Sequence, residues 1–129
     1  MPSVTPLYAA LLALLFVGLS VRTLRLRRRL RIPVGDGGNP VMLRAMRVHA
    51  NFAEYVPFAL LLILMTELAG AAPLLVHCLG LVLAAGRLLH AWGVSQPAEQ
   101  FGYRVAGMAM TFTVLIVAAL SLISFSLRI

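Results

Sequence analysis

The sequence has no lysine, one cysteine and four acidic residues, Asp36, Glu54, Glu67 and Glu99. With Cys78 alone, neither an intrachain disulfide nor a cysteine metal cluster can form, and no metal site is expected. Charge of either sign is sparse, 12% of residues against 61% hydrophobic ones, which excludes an ordinary soluble domain. The apolar stretches lack the strict alternation of a lipid-facing barrel strand, and no internal repeat or low-complexity tract interrupts them.

What is present is a set of four continuous apolar runs, each near or above the roughly 20 residues that cross a bilayer as a helix. They predict transmembrane helices over about 4–24, 41–68, 73–94 and 103–127, in one domain covering 1–129 that leaves no length for a soluble module. The expected fold class is an all-α integral membrane protein, a four-helix bundle.

The eleven basic residues are all arginine and give a formal net charge of +7. In so apolar a chain this excess marks loops held against anionic lipid headgroups rather than a nucleic-acid surface. The first connection, RTLRLRRRLRIPVGDGGNP, carries Arg22, Arg25, Arg27, Arg28, Arg29 and Arg31 on a basic helical extension that ends in a Gly/Pro/Asn/Asp turn. The second, ELAGAAP, holds only Glu67, and the third, VSQPAEQFGY, lies between Arg87 and Arg104. The positive-inside rule then places the first and third connections in the cytoplasm and both termini outside, where Arg128 is the one nearby cation. No basic residue precedes the first apolar run, so it is expected to be a retained, N-out helix and not a cleaved signal.

The second apolar run opens on RAMRVHANFAEYVPF, residues 44–58, which sets ionisable groups at the head of a lipid-embedded helix. Arg44, Arg47, Asn51, Glu54 and Phe58 follow a 3-4-3-4 spacing and share one face, with Tyr55 beside it and His49 on nearly the opposite side. A charge in hydrocarbon costs a few kcal/mol or more, so this face must turn toward a bundle interior, a partner subunit or a wet cavity. An Arg47–Glu54 pair within a helix interface would answer part of that demand. It would not account for Arg44, Asn51, Arg87 and Arg104, all expected at the same membrane level, and the surplus positive charge points to an anionic ligand.

The motif R-x-H-x-N-x-x-E-Y-x-P-F, here Arg47, His49, Asn51, Glu54, Tyr55, Pro57 and Phe58, resembles the signature of the MAPEG family, the membrane-associated proteins in eicosanoid and glutathione metabolism. The order of the remaining elements agrees: four helices, a basic first connection, G-R-L-L-H at 86–90 and Tyr103-Arg104 at the start of the fourth helix. The resemblance covers nearly the whole chain. It implies a homotrimer that binds glutathione as a co-substrate between adjacent subunits, near the cytoplasmic side. Arg47 and Asn51 would hold the tripeptide's backbone and carboxylates, Glu54 its ammonium, and Tyr55 would add a hydroxyl contact. His49, on the other face, would serve the site shared with the next subunit, and Arg87 and His90 on the third helix would complete the binding set; at i+3 from Arg87, His90 is equally well placed as its structural hydrogen-bonding partner. Arg104 matches the arginine that lowers the thiol pKa, since only the thiolate is an effective nucleophile. An arginine of the first connection would reach the neighbouring site, with Arg28 the candidate and Arg27 and Arg29 its neighbours in register. Where several relatives carry a tyrosine one turn after the third-helix histidine, this chain has Val94.

Other residues invite simpler readings. Adjacent helix positions point about 100° apart, so His77 and Cys78 are not a nucleophile–base pair. Gly80 with Ala84, and Gly102 with Ala106, have the small-xxx-small spacing that permits close helix contact. Trp92 suits an interfacial anchor, and Glu67 an exposed charge at a helix end.

Three functions compete. The first is a glutathione-dependent transferase or peroxidase, acting on lipophilic electrophiles or lipid hydroperoxides that arrive through the bilayer. A compact, arginine-rich chain suggests a bacterial inner membrane, which argues against eicosanoid synthesis. The second is a non-catalytic trimer whose pocket binds glutathione or another anion. The third, a small four-helix drug exporter, requires a carboxylate in the first helix, and none lies between Val4 and Val21.

Overall fold

The first helix, α1 (Thr5–Leu30), passes the transmembrane bound near residue 24 and carries straight through the arginine run, the basic helical extension expected from the sequence. Arginine is a good helix former, and cations in a last turn complement the helix dipole; here Arg27, Arg28 and Arg29 occupy that turn. At about 1.5 Å per residue its 26 residues span roughly 39 Å, more than the roughly 30 Å hydrocarbon core, so the charged turns emerge from lipid. Arg31 ends the helix in the left-handed conformation (φ 56°), with Ile32 N donating to Arg27 O at 3.1 Å. Arg27 then donates to Gly35 O at 2.7 Å and folds the turn back on the helix end.

The structure, a computed structural model, describes residues 1–127; Arg128 lies outside the described residues. Three further helices follow, α2 (Pro40–Leu68), α3 (Pro73–Ser95) and α4 (Phe101–Ser126), and no strand occurs among the described residues. All four are long and apolar enough to cross a membrane, as the sequence predicts. The Asn39 side chain caps α2, accepting from Val41 N at 2.9 Å and Met42 N at 3.1 Å, and Pro40 fills the first helical position, where its missing N–H costs nothing.

The helices run up and down, and α3 with α4 forms the most extensive pairing. Its cause is local. A Cβ built on Gly107 would stand 2.5 Å from Gly86 O and 2.7 Å from His90 N, so the two backbones touch at a spacing that only glycine allows. Gly80 likewise lies against the Tyr8 ring, but Gly102 faces open space, so of the two small-residue pairs only the first makes the contact its spacing suggests. In contrast to α2 and α3, α4 makes no packing contact with α1. Leu12, Val48, Ile63, Leu83 and Val114 fill the interior, where packing contacts take the place of a hydrophobic driving force, while Leu14, Leu61, Leu81 and Ile116 face outward.

This arrangement gathers the C-terminal ends of α1 and α3 with the N-terminal ends of α2 and α4. Arg22 of α1 donates to Ser95 Oγ of α3 at 2.8 Å, and Gln100 N, just before α4, donates to Gly93 O at 3.1 Å. The polar residues of all four helices that the sequence places at one membrane level therefore meet at one end.

Candidate functional site

At that end a pocket of about 260 Å³ is lined by Pro40, Leu43, Arg44, Arg47 and Asn51 of α2, His90 and Val94 of α3, Glu99 of the third connection and Arg104 of α4. The 3-4 spacing of Arg44, Arg47 and Asn51 puts all three on the pocket wall, one turn above another. The short loop 96–100, closed by the Gln100–Gly93 hydrogen bond, swings Glu99 inward.

Glu99 holds two arginines apart. Its Oε1 accepts from Arg104 at 2.8 Å and its Oε2 stands 3.6 Å from Arg44, whose same nitrogen also donates to Val94 O at 3.3 Å. The hydrogen bond from Arg104, with Arg44 beside it, holds the Glu99 carboxyl below its ordinary range, so it is ionised at neutral pH. One carboxylate thus faces three guanidinium groups, and the Arg104 side chain keeps about half of its surface exposed.

Behind the pocket lies Arg87, only 1% exposed. It donates to Asn51 Oδ1, to Thr111 Oγ1 at 3.3 Å and to Met108 Sδ at 3.7 Å, and lies 3.2 Å from His90 Nδ1. The Gly86–Gly107 approach brings α4's Met108 and Thr111 within its reach. Arg87 is therefore a support for two lining residues and not itself part of the lining.

The residues selected from sequence separate into two groups. Arg47, Asn51, His90 and Arg104 come together in the pocket, with Arg87 immediately behind. Glu54 is exposed one turn beyond Asn51 and makes no ion pair with Arg47; among the described residues the only salt bridges are the two of Glu99. Tyr55 is half-buried, its ring packed edge-on against Phe112 of α4 at 5.7 Å. His49 turns to α1, where it stacks on Phe16 and its Nε2 lies 2.9 Å from Ser20 Oγ. Arg28 is exposed on α1, outside the pocket of its own protomer.

Two charged lining residues, Arg44 and Glu99, lie outside the sequence-based set. Arg44 was visible on the shared face but had no motif to single it out. Glu99 had no usable signal, because it lies in a loop five residues before Arg104 and helical spacing does not connect them. Glu67, read as an exposed helix-end charge, instead accepts three backbone N–H groups at the start of α1. Trp92 is exposed near the same end as the pocket.

Residues 5–124 match the model of the family described as "MAPEG family". The chain is 41% identical over 118 residues to a protein named "Inner membrane protein YecN" from Escherichia coli (strain K12), a match covering 92% of this chain and 88% of that one. The protein of the same name from Escherichia coli O6:H1 (strain CFT073) matches to the same extent.

Proposed function

The chain belongs to the MAPEG family, and on that premise we propose that it is a glutathione-dependent enzyme of the bacterial inner membrane. Its relatives are named as inner membrane proteins, and the family membership points to glutathione-related work in a membrane. The observation that carries the finer reading is Glu99. A carboxylate already sits between Arg44 and Arg104, in a pocket that offers Arg47, Asn51 and His90 as further donors, so the wall has the geometry to bind a carboxylate. Glutathione brings two carboxylates, an ammonium and a thiol.

In this reading the tripeptide displaces Glu99 from Arg104, which becomes the cation beside the thiol. The thiolate attacks a lipophilic electrophile: a carbon–sulfur bond forms, the leaving group departs with its electron pair, and the thiol proton goes to solvent. With a lipid hydroperoxide, two glutathione molecules give the disulfide, and the peroxide is reduced to alcohol and water.

We assign the complete site to a trimer. Arg47 and Glu54 are exposed on a membrane helix, at a cost of a few kcal/mol each in lipid, so a neighbouring protomer is needed to cover them. A pocket of about 260 Å³ is also below the roughly 300–1,000 Å³ typical of small-molecule sites, and a partner's wall would enlarge it. The pocket then faces the cytoplasm, with the termini outside.

The second reading, an anion-binding trimer without turnover, is favoured by Val94, a buried pocket residue that offers no hydroxyl where relatives place a tyrosine. Calorimetry of glutathione with the purified protein in detergent, followed by conjugation to a generic aryl halide, decides between them. Binding with conjugation supports the enzyme; binding without it supports the second reading. No binding at millimolar glutathione would remove both glutathione readings.

A further inference from the structure

We infer that Arg87 is a positioning residue which, by its hydrogen bonds to Asn51 and His90, fixes both as donors and makes the pocket floor selective for an anion over its conjugate acid. A guanidinium has five N–H donors, no acceptor and a permanent charge. Arg87 is buried without a carboxylate partner among the described residues, so its charge is met by neutral acceptors alone. Those acceptors are fewer than its donors, and its buried Nε has no partner among the described residues. Neither Asn51 nor His90 can turn its acceptor away without leaving a further buried donor unmet.

The consequences follow from side-chain chemistry. Asn51 must present Oδ1 to Arg87, which leaves its Nδ2–H₂ for the pocket that it lines. His90 Nδ1, 3.2 Å from the Arg87 nitrogen, must be the bare, accepting nitrogen, because a proton there would point at the guanidinium. The neutral ring therefore carries its proton on Nε2, and that N–H is what remains for the pocket. Joined to Arg44, Arg47 and Arg104, these two residues make every polar side chain of the lining except Glu99 a donor toward the pocket.

Two functional statements result. A neutral thiol, whose sulfur accepts only weakly, gains little from this floor, whereas a thiolate or an oxyanion gains two fixed donors. His90 is excluded as a general base, since its one nitrogen free of Arg87 already holds a proton. The identity of the anion as glutathione rests on the proposed function above; the orientation of the two side chains does not.

The test is ¹⁵N NMR of histidine-labelled protein in lipid nanodiscs without ligand, with the His90 signals assigned by their loss in His90→Gln. The wild type is expected to show one neutral tautomer at His90 near pH 7, protonated at Nε2 and bare at Nδ1. Arg87→Met should lose that single tautomer and populate both, while Arg87→Lys, which keeps a donor and the charge, should restore the preference. A wild-type His90 protonated at Nδ1, or at both nitrogens, would overturn the inference whether or not the variants fold. So would an Arg87→Met protein that folds and keeps the Nε2–H tautomer alone. Because no ligand is used, a failure to bind glutathione would leave this result intact and count only against the proposed function.

Discussion

The two ends of the bundle treat their polar groups in opposite ways. At the end where α1 and α3 begin, Glu67 accepts from Ser3 N, Val4 N and Thr5 N at 2.7, 2.8 and 2.8 Å, and the Tyr8 hydroxyl meets His77 Nδ1 at 3.0 Å. The unpaired N–H groups of a helix start are there consumed by the chain's own acid. At the other end two of the three pocket arginines share one carboxylate, and a fourth arginine stands buried behind them. A closed end locks α1 to the bundle; an open end retains unspent donors. Burying surplus cations costs stability, and such a cost is tolerated where a ligand collects it.

The largest expected effect falls on Glu54, which lies outside the pocket of its own protomer. If it pairs the glutathione ammonium across a subunit boundary, Glu54→Gln removes a charge-assisted contact worth about 1.5 to 3 kcal/mol, and affinity should fall roughly ten- to a hundredfold. Calorimetry on the trimer reads this directly, and unchanged affinity would return the site to one protomer. Native mass spectrometry of the same samples should count three chains; a monomer under mild conditions would remove the shared site.

The next effect concerns chemistry and not affinity. Arg104→Ala should raise the bound thiol toward the free value of about 8.5, leaving only a few per cent thiolate at neutral pH, and so cut conjugation roughly tenfold with a smaller change in binding. Thiolate absorbance across pH distinguishes the two. An unmoved titration in a folded variant would take the thiol-activating role from Arg104 and leave it a counter-ion of Glu99.

How much of this was readable from sequence depends on which forces were local. Lipid requires every backbone group to be paired within a segment, so four long apolar runs meant four helices, and the 3-4 spacing of Arg44, Arg47 and Asn51 carried them to one wall. The same spacing sets Glu54 on that face but one turn beyond the pocket of its own protomer, because helical phase gives direction and says nothing of where α3 and α4 stop lining the pocket. The end of α1 was legible as a basic extension beyond the transmembrane stretch, because an arginine run outside hydrocarbon is no helix breaker and the Gly/Pro/Asn/Asp turn is one. Glu99 and Glu67 act over loop closure and over 62 to 64 residues of sequence respectively, distances at which no periodicity operates. Arg87 showed its charge but not its burial, which depends on the glycine contact between α3 and α4.

The closed end gives a smaller, purely structural contrast. Glu67→Ala should leave the α1 N–H groups without their acceptor and cost about 0.5 to 2 kcal/mol, the range of a lost helix cap. Thermal unfolding in detergent should shift down by a few degrees while glutathione affinity and turnover, set at the other end, stay constant. A variant that lost binding without losing stability would show that the two ends are coupled through α1.

The smallest effect belongs to Glu99, and its sign can be worked out from its hydrogen bond. Arg104, with Arg44 beside it, lowers the folded carboxyl below its unfolded value, so the stability it contributes is fully present above the ordinary glutamate range and is lost as pH falls through the depressed folded value. The pair is exposed and screened, so the change is slight and fades with added salt. Glu99→Gln should abolish this acid-side slope. On the ligand side it should act in the opposite direction: a carboxylate that must leave Arg104 before glutathione can enter is a competitor, and removing its charge should tighten binding a few-fold, most at low ionic strength. If Glu99→Gln weakened binding instead, Glu99 would be a contact for the ligand's ammonium, and the open end would present the tripeptide with a matched acid as well as its surplus of donors.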